Sequence, residues 1–305
     1  MRKAIAPWED AVWWMITLAA AAFQTSRTAL QHRLRALLSV SGAGFVRYVY
    51  GAPIAGAAVG VAALTGATFP SIEAAFWPKI AGAGLAQIVA TVFLIRAFDA
   101  RDFAIGTVFS KTEVVQVSLF SLVFLGESLR LIGYASVVVC LIGIVLLVTK
   151  GRRLSTGLFA DGAAWFGLVA GSLFGLAAVG IRAATKDLHG GPSVVKAIIA
   201  LAVMNTIQTF LHGGYLVARE PGQARLALVH WRSSAIVGVL SVCGSACWAL
   251  AFVLKDAARV RTFGQVELLF TFTVSHVLLK ERHARVEYLA SALVLAGVVG
   301  VVVAG

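Results

Sequence analysis

The sequence predicts an all-α integral membrane protein of ten transmembrane helices arranged as two inverted five-helix repeats, and three observations carry that expectation. The 305-residue chain is 59% hydrophobic and only 13% charged, with a mean hydropathy of +0.88, whereas soluble domains devote about a quarter of their residues to charge. Ten apolar runs, most near the roughly 20 residues that a spanning helix requires, lie at 11–31, 39–64, 78–98, 104–125, 131–149, 159–181, 193–217, 234–254, 262–279 and 287–304. The second half of the chain also repeats the first.

Taken in order, the first run follows Arg2 and Lys3 and holds a small-residue stretch, Ala19 to Ala22, that resembles a signal-peptide cleavage site. Glu9 and Asp10 interrupt the basic flank and a later segment matches this one, so it reads as a retained helix. The second run contains Gly51-Ala52-Pro53, where a kink is expected. The third to fifth complete a first repeat over 11–149, and the polar stretch Lys150 to Gly157 marks a linker at 150–158. The sixth to tenth form a second repeat over 159–304. Cys140, Cys243 and Cys247 all lie inside apolar runs, so no disulfide framework is implied. Trp8, Trp13, Trp14, Trp77 and Trp231 stand near helix ends, where interfacial anchoring is expected.

At an offset of 154, residues 84–148 align with 238–302 without a gap, and sixteen of these 65 positions are identical. The matches include Asp102/Asp256, Glu113/Glu267 and Glu127/Glu281, three acidic pairs in a chain with fourteen acids. A one-residue shift brings Arg27 opposite Arg182. Five helices per copy is an odd number, so the second copy enters the membrane in the opposite sense, the arrangement of many transporters whose binding site lies between the repeats.

The net charge of +12 does not point to nucleic acid, because the basic residues mostly separate apolar runs and read as membrane flanks. The expected partners are the lipid bilayer and a small-molecule substrate, for a monomer or homodimer. Basic residues nevertheless fall inside or at the edges of the runs, among them Arg27, Arg47, Arg96, Lys111, Arg182 and Lys196, and Glu113 and Glu267 are the acids farthest from a run edge. Glu127 and Glu281 mark helix ends, and the fourteen-residue step back to Glu113 or Glu267 spans roughly 21 Å. That places both carboxylates deep in a core about 30 Å thick, where a charge costs at least about 2.5–3.5 kcal/mol and normally faces a cavity or a partner.

Two readings of these carboxylates stand side by side. They bind an amino or cationic group or carry a coupling proton, or they bond to neighbouring helices through Arg27, Arg182 or Lys111. Arg47 is suited to a substrate carboxylate or to a structural ion pair, and Gln87, Thr91, Asn205, Gln208 and Gln265 are further candidates to line a polar site. His276, nine residues after Glu267, reads as a packed residue. No nucleotide-binding loop, metal cluster or cofactor motif is present in the sequence, so no cofactor is expected. Ser245, in Cys243-Gly-Ser-Ala-Cys247, lacks the second glycine of a nucleophile elbow, which argues against an intramembrane enzyme. A passive channel or facilitator stays open as an alternative.

The segments Ser110-Lys-Thr-Glu113 to Phe124-Leu-Gly-Glu127, and Gly264-Gln-Val-Glu267 to Leu279-Lys-Glu281, each followed by a small-residue helix, resemble the EamA-type family of the drug/metabolite transporter superfamily. Lys280 departs from that pattern where the first copy has Gly126, and Val114 and Leu268 stand where a proline often follows the glutamate. The resemblance covers about 11–304. It implies a bacterial inner-membrane exporter of amino acids, metabolites or drugs, not an enzyme, working by alternating access with both termini in the cytoplasm. The distribution of basic residues leans the other way, with eight in the terminal and even-numbered connections and twelve in the odd-numbered ones.

Overall fold

Within hydrocarbon a backbone amide has no water to bond to, so each apolar run must satisfy its own N–H and C=O groups as a helix. The computed structural model describes residues 7–34, 37–99, 108–150, 162–270 and 284–304 and is helical along the apolar runs it covers. The elements are α1 (Pro7–Leu34), α2 (Val40–Leu64), β1 (Ser71–Ile72), α3 (Phe76–Asp99), α4 (Glu113–Leu125), α5 (Leu131–Thr149) and α6 (Ala163–Lys186), then β2 (Leu188–His189), α7 (Ser193–Arg219), α8 (Gln223–Val229), α9 (Trp231–Leu254), α10 (Ala257–Phe263) and α11 (Arg285–Val303). Residues 108–111 are helical ahead of α4, and 266–270 after α10.

Among the described residues, eight helical segments are long and apolar enough to cross a membrane, and the protein is a multi-pass membrane protein. The 28-residue α1 carries Gln24, Thr25, Ser26 and Arg27 in its second half and is not among the eight. The ninth expected run lies outside the described residues beyond position 270, as do Asp102, His276, Lys280, Glu281 and residues 151–158 of the linker. Large apolar side chains such as Val123, Leu131, Phe210 and Val303 point outward, as they do when lipid is the solvent. Trp77 and Trp231 are exposed at helix ends as expected of anchors and Trp14 is exposed two turns into α1, but Trp13 is buried and packs inside the protein, and the Trp8 side chain lies outside the described residues. All three cysteines are free.

The chain forms two compact units, and neither coincides with one half of the sequence. The first comprises residues 1–88 and 180–255, the second 89–179 and 256–305. Residues from α3 and α6 contribute to both.

In the first unit α1 packs on α9, and α2 packs on both α7 and α9. The α2 and α7 axes are antiparallel: a Cβ on Gly44 would meet His212 at 3.3 Å, and one on Gly51, seven residues on, would meet Asn205, seven residues back, at 2.8 Å. The short helix α8 closes one end, where Tyr50 donates to the Ala227 carbonyl at 3.2 Å and Gln223 Oε1 accepts from the Ser39 N–H at 2.9 Å. At the other end of α2 a two-residue ribbon departs from the all-α expectation. Ser71 pairs with His189 and Ile72 with Leu188, antiparallel. Lys79 grips both Asp187 oxygens at 2.8 and 2.7 Å, and His189 meets Glu73 at 2.6 Å. Four of the spanning segments separate β1 from β2 in sequence. An even number of crossings returns the chain to the same membrane face, as the ribbon requires.

In the second unit α5 and α11 make the most intimate helix pair. A Cβ at Gly143 would sit 2.6 Å from the Val294 nitrogen, and one at Gly297 would sit 2.6 Å from the Cys140 nitrogen. As the position on α5 falls from Gly143 to Cys140 and Ser136, its contact on α11 rises from Val294 to Gly297 and Gly300, so this pair too is antiparallel. Small residues permit such close backbone approach where lipid offers no hydrophobic drive for helix association. The expected helix end before Glu127 is a left-handed C-cap at Gly126 (φ 64°), whose N–H reaches the Leu122 carbonyl while the Glu127 N–H reaches Ser121.

Candidate functional site: crossed ion pairs at two helix breaks

The two membrane glutamates stand at interruptions of their helices. At Thr112 the backbone N–H turns to the Phe109 carbonyl at 3.3 Å and the side-chain hydroxyl donates to the same oxygen at 2.6 Å. The helix therefore restarts at Glu113, the first residue of α4. In the second copy α10 ends at Phe263, and the Glu267 and Leu268 N–H groups reach back only three residues, to Gly264 at 3.2 Å and Gln265 at 3.0 Å. A mid-helix tightening of this kind is a common hinge, and a new helix start favours a carboxylate. Helix α6 passes close to the first break, since a Cβ on Gly171 would lie 2.6 Å from the Ser110 carbonyl.

The charges at these breaks pair crosswise. Lys111 Nζ donates to Glu267 Oε1, and Arg261 donates through Nε and Nη2 to Glu113 Oε1. Each copy of the repeated segment thus supplies the cation for the other copy's carboxylate. Glu113 is buried at 5% exposure, and the other three side chains keep between 16% and 19%. The four charges sum to zero, which is how a low-dielectric interior tolerates them. Gln265 donates to the Arg261 carbonyl at 3.2 Å and leaves its own Oε1 buried without a partner, as does Gln116, whose amide donates to Thr112.

Among the sequence candidates, then, Lys111, Glu113, Gln265 and Glu267 come together in the second unit. Of the three cations expected for the carboxylates, Lys111 does pair with Glu267, but the partner of Glu113 is Arg261, one residue ahead of the ninth apolar run. The apolar run starts at residue 262, whereas α10 begins at Ala257 and carries Arg261 inside. Ala257, Ala258 and Val260, all buried, were the available sign.

Thr91 also falls in the second unit, on α3, and the remaining candidates lie in the first. Arg182 donates to the Phe252 and Val253 carbonyls at 2.7 and 2.8 Å and so caps the last turn of α9. Replacing it with Gln is expected to cost about 1–3 kcal/mol, the worth of charged hydrogen bonds, as a lower thermal midpoint of the purified protein in detergent. Arg27 lies half-buried in α1. Gln87 accepts from Gln208 Nε2 at 2.9 Å, and the same nitrogen reaches the Gly84 carbonyl at 3.1 Å. Asn205, Gln208 and His212 form a buried polar ladder along one face of α7. Each has a glycine opposite it, Gly51, Gly84 and Gly44 respectively. Arg47 lies over the Tyr48 ring at 5.5 Å and leaves its buried Nε without an acceptor.

With this geometry the comparisons with known proteins are informative. Residues 162–303 match the EamA-like transporter family. The matched stretch makes up most of the second half of the chain. It holds α10, Glu267 and the Arg261 partner of Glu113, so half of the crossed quartet is EamA-like sequence. A solved crystal structure superposes with a TM-score of 0.68 over 95% of this chain and 96% of that one, at 14% identity. Likeness at that identity speaks for the fold alone. It is one of 26 matching chains of solved structure. No curated protein matches the sequence. Among the described residues no cluster of three or more His, Cys, Asp or Glu side chains could hold a metal ion.

Proposed function

We propose that this EamA-family membrane protein is a secondary-active transporter that exports a small metabolite, amino acid or drug across the bacterial inner membrane by alternating access. Ten helices form two inverted five-helix repeats in this reading, with both termini in the cytoplasm. The repeat arrangement is supported by α2 with α7 and α5 with α11, which occupy equivalent places in the two halves and pair antiparallel, as an inverted duplication requires. A reporter fused to the C-terminus, active in only one compartment, tests the orientation.

The observation that carries the reading is the crossed pairing of Lys111 with Glu267 and Arg261 with Glu113 at two helix breaks. A structural ion pair would need only one continuous helix on each side. Here each carboxylate sits where its helix is hinged, and its cation belongs to the other copy, so hinging of either copy changes both pairs at once. Protonation of Glu113 or Glu267 would release its cation, and a proton or a charged group of the cargo could then take the place of one partner. That is a route from a pH gradient to a conformational change.

The test is flux in proteoliposomes with and without a pH gradient, using solutes enriched outside cells that overproduce the protein. Accumulation against the solute gradient is expected for the parent chain. Glu113→Gln and Glu267→Gln are expected to abolish the pH dependence, with flux compared per amount of folded protein because each substitution also leaves a cation without its counter-charge. Flux that never exceeds equilibration would make the protein a facilitator, and unchanged pH dependence in both variants would remove the coupling role.

A further inference from the structure

The quartet at the helix breaks leaves the polar ladder of α7 unused. Arg47 lies seven residues into α2 and His212 seven residues before the end of the antiparallel α7, so both stand about 10 Å along their helices from the same end of the first unit. A guanidinium is charged at any physiological pH, and at that depth it requires an anionic partner. Arg47 has none. Its Nε is buried and unbonded, and its guanidinium carbon lies 5.5 Å from the centre of the Tyr48 ring. Glu220, just beyond α7, is engaged by the Ser39 hydroxyl. His212, 7% exposed and ringed by Phe45, Tyr48 and Tyr215, likewise leaves Nδ1 unbonded. One turn deeper, fully buried Gln208 keeps Oε1 without a donor.

These orphan groups differ in kind. Arg47 Nε is a donor, His212 Nδ1 donates in one tautomer, and Gln208 Oε1 can only accept. Four residues separate His212 from Gln208, a rise of about 6 Å. We infer that Arg47, His212 and Gln208 form a binding site for a small organic carboxylate that carries a hydroxyl or amino donor about 6 Å from its carboxyl group. The carboxylate takes Arg47 and His212, and the donor takes Gln208. This names the substrate class of the proposed transporter, and it rests on that reading only for the movement of the anion, not for its binding.

The probes are 5-hydroxypentanoate, pentanoate and 5-hydroxypentanamide, which differ only in the donor or the charge. Binding is read as the concentration-dependent rise in the unfolding midpoint of the purified protein in detergent, with no gradient present. The expected order is 5-hydroxypentanoate, then pentanoate, with no response to the amide. Gln208→Leu should bring hydroxypentanoate down to the level of pentanoate. Arg47→Gln should weaken both acids roughly tenfold or more, and if it does not fold, Arg47→Lys should still weaken them measurably. Equal responses to acid and amide, or unchanged binding in the Arg47 variant that folds, would overturn the site. So would loss of the acid response in nanodiscs containing phosphatidylglycerol but not in phosphatidylcholine alone, because a lipid headgroup would then be the occupant. Binding without flux would sink the transport reading and leave the site standing, and coupled flux without acid binding would do the reverse.

Discussion

Replacing Arg261 with Met is expected to lower the unfolding free energy by about 3–5 kcal/mol, because it strands the buried Glu113 carboxylate without its counter-charge. The penalty comes from the orphaned partner more than from the lost attraction, so removing both charges should be milder than removing one. Arg261→Met combined with Glu113→Leu is therefore expected to recover most of the stability, since apolar replacement of a buried pair is often neutral. Chemical unfolding of the two single variants and the double variant in detergent gives the coupling directly. Additive losses would mean that the two residues do not depend on each other. Lys111 and Glu267, each with somewhat more exposure, should show the same pattern at smaller amplitude. A double variant that regains stability but not pH-dependent flux would separate the structural part of the quartet from its proposed role in coupling.

Gly297→Leu is the second large expected effect. A Cβ at this position would lie 2.5 Å from the Cys140 Cβ and 2.6 Å from the Cys140 nitrogen. The nitrogen is backbone and cannot swing aside as a side chain would, so α5 and α11 must separate. The cost is expected at or above the upper end of the about 1–3 kcal/mol typical of overpacked cores. Gly143→Leu should behave alike, since its Cβ would strike the Val294 nitrogen. Gly56→Leu provides the control, because open space surrounds that position on α2. A near-neutral Gly297 variant in thermal unfolding would show that the helix pair is loosely packed.

Much of the architecture was legible in the sequence because bilayer thickness imposes a length on every apolar run, and α2, α5, α7 and α11 begin or end within two residues of the runs that predict them. The acidic repeat also pointed correctly to Glu113 and Glu267 as buried or nearly buried charges. Arg261 falls outside the apolar run because hydropathy counts a cation as a boundary. A paired arginine can continue a membrane helix, and pairing is invisible in a hydropathy profile. Arg182 looked equivalent to Arg27 by alignment, yet it caps α9, a role fixed by the two carbonyls within its reach.

By itself, the sequence determined the solvent and the helical segments, because these follow from local composition and from the length of chain needed to cross hydrocarbon. Only the tertiary structure decided which charges meet. Lys111 and Glu267 are 156 residues apart and Arg261 and Glu113 are 148 apart, and an ion pair acts over a few ångströms of space, whatever the distance along the chain. The same holds for Arg47, whose missing partner becomes apparent only once every neighbour is in place.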